Sequence, residues 1–144
     1  NDIFFIGRGL DSCVSYEGSL KLKEVSYINS LAITAGELKH GTIALVEDDT
    51  LIFALASQDF LFEKMLSNIE EVKTRGARVV GIAKKNQNAI QSKADEVIFI
   101  PDCADEITPL LTVVPLQLFA YYVAKRRGTN VDKPKNLAKS VTVE

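Results

Sequence analysis

A chain of 144 residues with 47% apolar and 25% charged residues has the size and balance of one globular domain. Its formal net charge of −2 supplies no basic field for nucleic acid or an acidic membrane surface, so an anionic ligand would need a local site. One histidine and two cysteines, Cys13 and Cys103, form no spaced motif, which leaves no Cys/His zinc site. The thiols read as free and buried in a reducing cytosol, and no cofactor is called for. No apolar run approaches the roughly 20 residues that span a bilayer. No signal peptide is visible, and the start at Asn1-Asp2, leading straight into a strand, suggests a piece of something longer.

The first apolar run, Ile3–Ile6, is followed by Gly7-Arg8-Gly9 and a helical stretch of about 11–28. A G-x-G turn at a helix start can hold phosphate, but the third glycine of the dinucleotide fingerprint is missing, so the signal is weak. On an ideal helix Cys13, Val14, Leu20, Val25 and Ile28 share one arc with Glu17, Lys21 and Glu24. The other arc carries Ser12, Ser15, Gly18, Ser19 and Ser26, interrupted by Leu22, and suits close packing. Ionisable groups set into an apolar arc must be paired or line a cleft. Lys21 and Glu24, three apart, reach one another; a plain intrahelical pair and a ligand-facing pair both fit that spacing.

A weak strand near 31–34 precedes Ala35–Gly41, where Glu37, Lys39 and His40 lie between two glycines. His40 alone has an ordinary pKa near neutrality, so it is a candidate acid–base residue or a surface histidine. Further apolar runs at 51–56, 79–83 and 97–100 alternate with amphipathic helices over about 60–75 and 105–127. Runs apolar throughout mark strands buried on both faces, and the alternation predicts a doubly wound α/β three-layer sandwich with about five parallel strands. Leu61, Met65, Ile69 and Val72 form the stripe of the second helix, which Gly76 closes. Pro115 predicts a kink or a fresh helix start in the third, and Gly128 ends it. The turn Ser57-Gln58-Asp59 offers a hydroxyl and an amide, but Asp59 would repel phosphate.

The last residues, Lys133 to Glu144, keep Leu137, Val141 and Val143 among polar groups, as a docking tail would. Three stretches, 17–28, 35–45 and 132–144, closely resemble the second sugar isomerase (SIS) domain of the glutamine–fructose-6-phosphate aminotransferase family. The resemblance covers nearly the whole chain. It implies an SIS domain over 1–128 and a catalytic tail over 129–144 that docks on the sugar site. It further implies that Lys139 forms a Schiff base with the open-chain ketose, Glu24 moves the proton between C1 and C2, and Lys21 assists. By the same resemblance His40 opens the sugar ring in the neighbouring subunit's site, and Ala138 gives the sugar backbone contacts. Implied partners are fructose 6-phosphate and glucosamine 6-phosphate, a first SIS domain that holds the phosphate, a glutaminase domain, and a second copy. The expected location is the cytoplasm, with no nucleic acid or membrane partner and little synthase activity for this chain alone. A regulatory sugar-phosphate-binding module and a stand-alone phosphosugar isomerase remain as alternatives; the latter would need its own phosphate loop.

Overall fold

The computed structural model describes residues 2–137. Five parallel strands, β1 (Ile3–Gly7), β2 (Ser30–Thr34), β3 (Leu51–Leu55), β4 (Arg78–Lys84) and β5 (Glu96–Ile100), form one sheet in the order β2-β1-β3-β4-β5. Helix α2 (Phe62–Lys73) covers one face; α1 (Leu10–Ser26) and α3 (Thr108–Arg126) cover the other. This is the expected three-layer doubly wound sandwich. The side-chain alternation of a strand splits the core. Phe4, Ile6, Ile52 and Val79 pack toward α2, while Phe5, Phe53, Leu55 and Ile82 pack toward α1 and α3. Phe5 stacks on Phe53 at 5.2 Å, and Phe53 meets Phe119 of α3 at 4.5 Å.

The serine-rich arc of α1 is its buried face. Ser12 bonds Thr34 at 2.8 Å and Ser19 bonds Ser30 at 2.9 Å, so small hydroxyls tie the helix to β2 while satisfying themselves. A Cβ at Gly18 would come within 2.6 Å of Leu116, so glycine there permits the close approach of α1 and α3.

Several expectations need correction. Strand β5 is an edge strand, and Ile98 is exposed rather than buried on both faces. On α2, Phe62 rather than Leu61 begins the buried stripe, because a 3-10 turn over Asp59–Leu61 shifts the phase. Helix α3 runs through Pro115 with no fresh start; Leu116 and Ala120 lie buried on its inner face, and packing holds it across the lost hydrogen bond. The segment Asp105–Arg126 is long and apolar enough to cross a membrane, contrary to the sequence expectation, but here it packs on α1 and the sheet. Cys13 is exposed and Cys103 half-buried, so the cysteines are free but not buried.

Candidate active site

Helix α1 runs antiparallel to the strands, so its last turns lie at the amino ends of the sheet. There Lys21 Nζ donates to Glu24 Oε2 at 2.6 Å, and Glu17 lies 3.7 Å from the same nitrogen. The side chains of Lys21 and Glu24 are 34% and 26% exposed, which leaves the pair reachable from solvent yet partly desolvated. The hydrogen bond to Glu24 raises the Lys21 pKa above its usual value; burial opposes this and Glu17 reinforces it. Lys21 therefore stays an ammonium at neutral pH. A carboxylate with a fixed cation beside it can take and return a proton while the cation donates to a nearby oxygen. Lys21 and Val25 also line a small apolar cavity of about 100 Å³ with Gln117, Ala120, Tyr121 and Val131.

His40 lies elsewhere. It ends a 3-10 segment, Ala35–His40, that follows β2 at the carboxyl edge of the sheet. Leu38 is buried beneath the loop, Lys39 pairs with Glu71 of α2 at 2.8 Å, and the Arg8 guanidinium packs over Gly36. Gly41 has φ 138°, a conformation that side chains disfavour, and it turns the chain out of the loop. His40 itself is exposed, with Nδ1 2.7 Å from Glu37 Oε2. One chain thus brings Lys21 and Glu24 together and leaves His40 at the opposite end of the sheet. Lys139 and Ala138 lie outside the described residues, as do Val141 and Val143. Leu137, expected to help dock the tail, is exposed.

In a sheet of this order, ligands usually bind at the carboxyl ends of β1 and β3, where the winding reverses. Here that crevice is filled by the chain itself. The Asp11 carboxylate accepts both the N–H and the hydroxyl of Ser57, at 2.7 and 2.6 Å, and Gln58 Oε1 accepts the Leu10 N–H at the start of α1. Burial pushes the Asp11 carboxyl pKa up, partly offset by the bonds from Ser57 and Gln58. Beside it, Lys84 at the end of β4 is buried, donating to Asp59 at 2.7 Å and Asp105 at 2.9 Å. Burial opposes the charge on Lys84, yet the two carboxylates raise its pKa overall. Asp105 is likewise pushed up by burial but held below the usual carboxylate range by Lys84 and the Asp59 N–H. Asp11 and Lys84 escaped the sequence reading. A charged residue closing an apolar strand, as Lys84 does, was the available signal. The Ser57-Gln58-Asp59 turn, weighed as a phosphate site, spends its polar groups inside the protein.

The SIS domain family model matches residues 1–125. The chain belongs to the SIS domain family. This SIS domain is 66% identical over 143 residues to a glutamine–fructose-6-phosphate aminotransferase (isomerizing) from Caldanaerobacter subterraneus, covering 99% of the chain and 24% of that protein. It spans about a quarter of the length of the curated relatives it matches. Among solved structures it is similar to the C-terminal domain of the glucosamine-fructose-6-phosphate aminotransferase of Francisella tularensis. The identity there is 39% and the TM-score 0.84, over 92% of this chain and 37% of that one. A glucosamine-6-phosphate deaminase from Thermotoga maritima matches with 30% identity and TM-score 0.77, over 97% of this chain and 40% of the other.

Proposed function

We propose that this SIS domain is the isomerase half of a glutamine–fructose-6-phosphate aminotransferase, acting as its second SIS domain, with residues 129–144 as a catalytic tail. The observation that carries the reading is the half-exposed Lys21–Glu24 pair, which lies near the point where residues 129–135 attach to α1. The neutral Lys139 amine adds to the carbonyl carbon C2 of open-chain fructose 6-phosphate and releases water, giving an imine. Ammonia then displaces the lysine, so nitrogen stays on C2 and the amine is regenerated. Glu24 takes a proton from C1 and returns one to C2 while the C1 hydroxyl gives up its proton and the imine nitrogen gains one, which yields the aldose glucosamine 6-phosphate. Lys21 donates a hydrogen bond to a sugar oxygen during that transfer. Ala138 contributes backbone contacts to the sugar.

His40 opens the ring in the site of a second copy; its place at the far end of the sheet from Glu24 favours such sharing in a homodimer. The filled crevice at Asp11, Ser57 and Gln58 argues that the sugar phosphate is gripped by another domain, and it disfavours a stand-alone phosphosugar isomerase. An apolar row on α3, Leu110, Val114, Leu118 and Tyr122, is exposed and suits contact with the rest of such an enzyme, a cytoplasmic one.

Borohydride trapping with fructose 6-phosphate, read by peptide mass spectrometry, tests the reading on this chain alone and mixed with the first SIS domain. An adduct on Lys139 in the mixture is expected, with little or none in the chain alone. Sugar that binds the mixture but leaves no adduct on Lys139 would overturn the Schiff-base role.

A further inference from the structure

We propose that Glu37 is a positioning residue for His40: its carboxylate fixes the imidazole so that Nδ1 carries the proton and Nε2 is the nitrogen offered to a sugar. The inference rests on the function proposed above and deepens the part given there to His40.

The loop that carries both residues is a 3-10 segment of six residues, Ala35–His40, longer than the three or four that such helices usually run. With three residues per turn, side chains three apart eclipse one another, so the segment presents three rows of two. Ala35 and Leu38 make the first row, and both are buried in the core on the α2 side. Gly36 and Lys39 make the second. A Cβ at Gly36 would meet the Arg8 guanidinium at 3.3 Å, and Lys39 pairs with Glu71 of α2 at 2.8 Å. Arg8 is itself held by the bond from its Nε to Asn68 Oδ1 at 2.8 Å. Glu37 and His40 make the third row, and it alone faces solvent. Two rows thus fasten the loop to the body of the domain, and the third is held out from it.

Within that outer row His40 Nδ1 lies 2.7 Å from Glu37 Oε2. The eclipsed geometry sets Glu37 beneath the ring, where an α-helical turn would offset the two by about 60°. Lys39, between them in sequence, is turned to Glu71 and leaves Glu37 to the ring. An ionised carboxylate only accepts, so this bond requires the proton on Nδ1. The neutral ring then keeps its lone pair on Nε2, at its other edge.

That placement suits the opening of a ketose ring. The bond between C2 and the ring oxygen breaks, the anomeric hydroxyl gives up its proton as the C2 carbonyl forms, and the ring oxygen gains a proton. A base that receives the first proton can deliver the second and end as it began. Nε2 with its lone pair can do both, through an imidazolium that stays bonded to Glu37. The other tautomer would present an N–H at Nε2 and no lone pair there. Glu37 therefore decides which nitrogen reacts without touching the sugar.

His40 is the one histidine in the chain, so its ring nitrogens are assigned without ambiguity by NMR. Long-range proton–nitrogen spectra of the 144-residue chain at alkaline pH, where the ring is neutral, read the ratio of the two tautomers. The Nδ1–H form is expected to be enriched about fivefold over a free histidine, the effect of one hydrogen bond. Glu37→Ala should remove that enrichment, and Glu37→Gln, whose amide oxygen still accepts, should keep part of it. Glu37 is exposed, so both variants are expected to fold as the parent does. A parent ratio equal to that of free histidine, or one that Glu37→Ala does not move, would overturn the proposal.

Catalysis gives the second readout. In the mixture with the first SIS domain, Glu37→Ala should slow solvent exchange of the C1 hydrogen of fructose 6-phosphate about tenfold, a part of what acid–base catalysis supplies. It should leave unchanged the exchange of 5-deoxyfructose 6-phosphate, which lacks the C5 hydroxyl and cannot close a ring. Equal slowing of both sugars, or of neither, would remove the positioning role. A Glu37-dependent tautomer beside a parent mixture that exchanges neither sugar leaves the hold on the ring standing and removes the ring opening. Active exchange beside an unmoved tautomer removes Glu37 alone.

Discussion

The two ends of the sheet are built on opposite plans. At the carboxyl end, where this strand order usually receives ligands, Asp11, Ser57, Gln58 and Lys84 with its two aspartates satisfy each other and fill the space. At the amino end, Lys21 and Glu24 pair but stay half-exposed beside a small cavity, with the segment 129–135 fastened nearby. The contrast teaches that fold topology says where a site is usual, while half-exposed ionisable groups nominate other places. Here the usual place is occupied by buried polar contacts, and the pair proposed as reactive sits at the end that the topology would not nominate.

Breaking the open end should have the largest effect. Glu24→Gln keeps the size and removes the base. In the mixture with the first SIS domain it should leave the Lys139 adduct intact while slowing solvent exchange of the sugar C1 hydrogen by at least about 100-fold, read by deuterium incorporation. Equal exchange rates would take the proton transfer away from Glu24. At the closed end the effect should appear in stability instead. Asp59→Asn with Asp105→Asn strands a buried ammonium and should cost about 3 kcal/mol in urea unfolding, whereas Lys84→Met should cost about 1 kcal/mol or less.

The pH dependence of Asp11 sharpens the comparison further. Its folded pKa is raised above the unfolded value of 3.8, so between those values the folded state holds a proton that the unfolded state has lost. Stability from this group is therefore present at low pH and falls as pH rises through that window. Asp11→Asn should match or exceed the parent at pH 7, and its advantage should shrink as pH drops toward 4, as read by thermal unfolding. Asp105 runs the other way: its lowered pKa contributes stability above the unfolded value, which is lost as pH falls through the folded one. Asp105→Asn should flatten the acid limb accordingly. The smallest effect belongs to His40→Gln, whose exposed pair with Glu37 should change stability by less than about 0.5 kcal/mol. A larger loss would mean that the loop depends on the ring.

Much of this was legible in the residues. Four strands announced themselves as apolar runs, and the serine and glycine arc of α1 announced a close-packed face. The edge strand β2 was faint because Leu31 points to solvent, so its pattern is broken. The Lys21–Glu24 pair could be read because its geometry is local to one helix turn. Asp11 and Lys84 could not, because their partners are 46 and 21 residues away and only the folded sheet brings them together. Gln58 was read as a phosphate group for the same reason, since only the fold shows that its amide oxygen serves the Leu10 N–H, 48 residues away.

The bond from Thr129 to Val25 joins residues 104 positions apart, and it has a consequence for the order of assembly. Contacts of such separation close late, after the sheet and helices that bring their ends together. On a ribosome, α1 would be folded and waiting long before residue 129 emerged, with its last carbonyls bonded only to water. A nascent chain would thus carry Lys21 and Glu24 in place while lacking the fastening beside them.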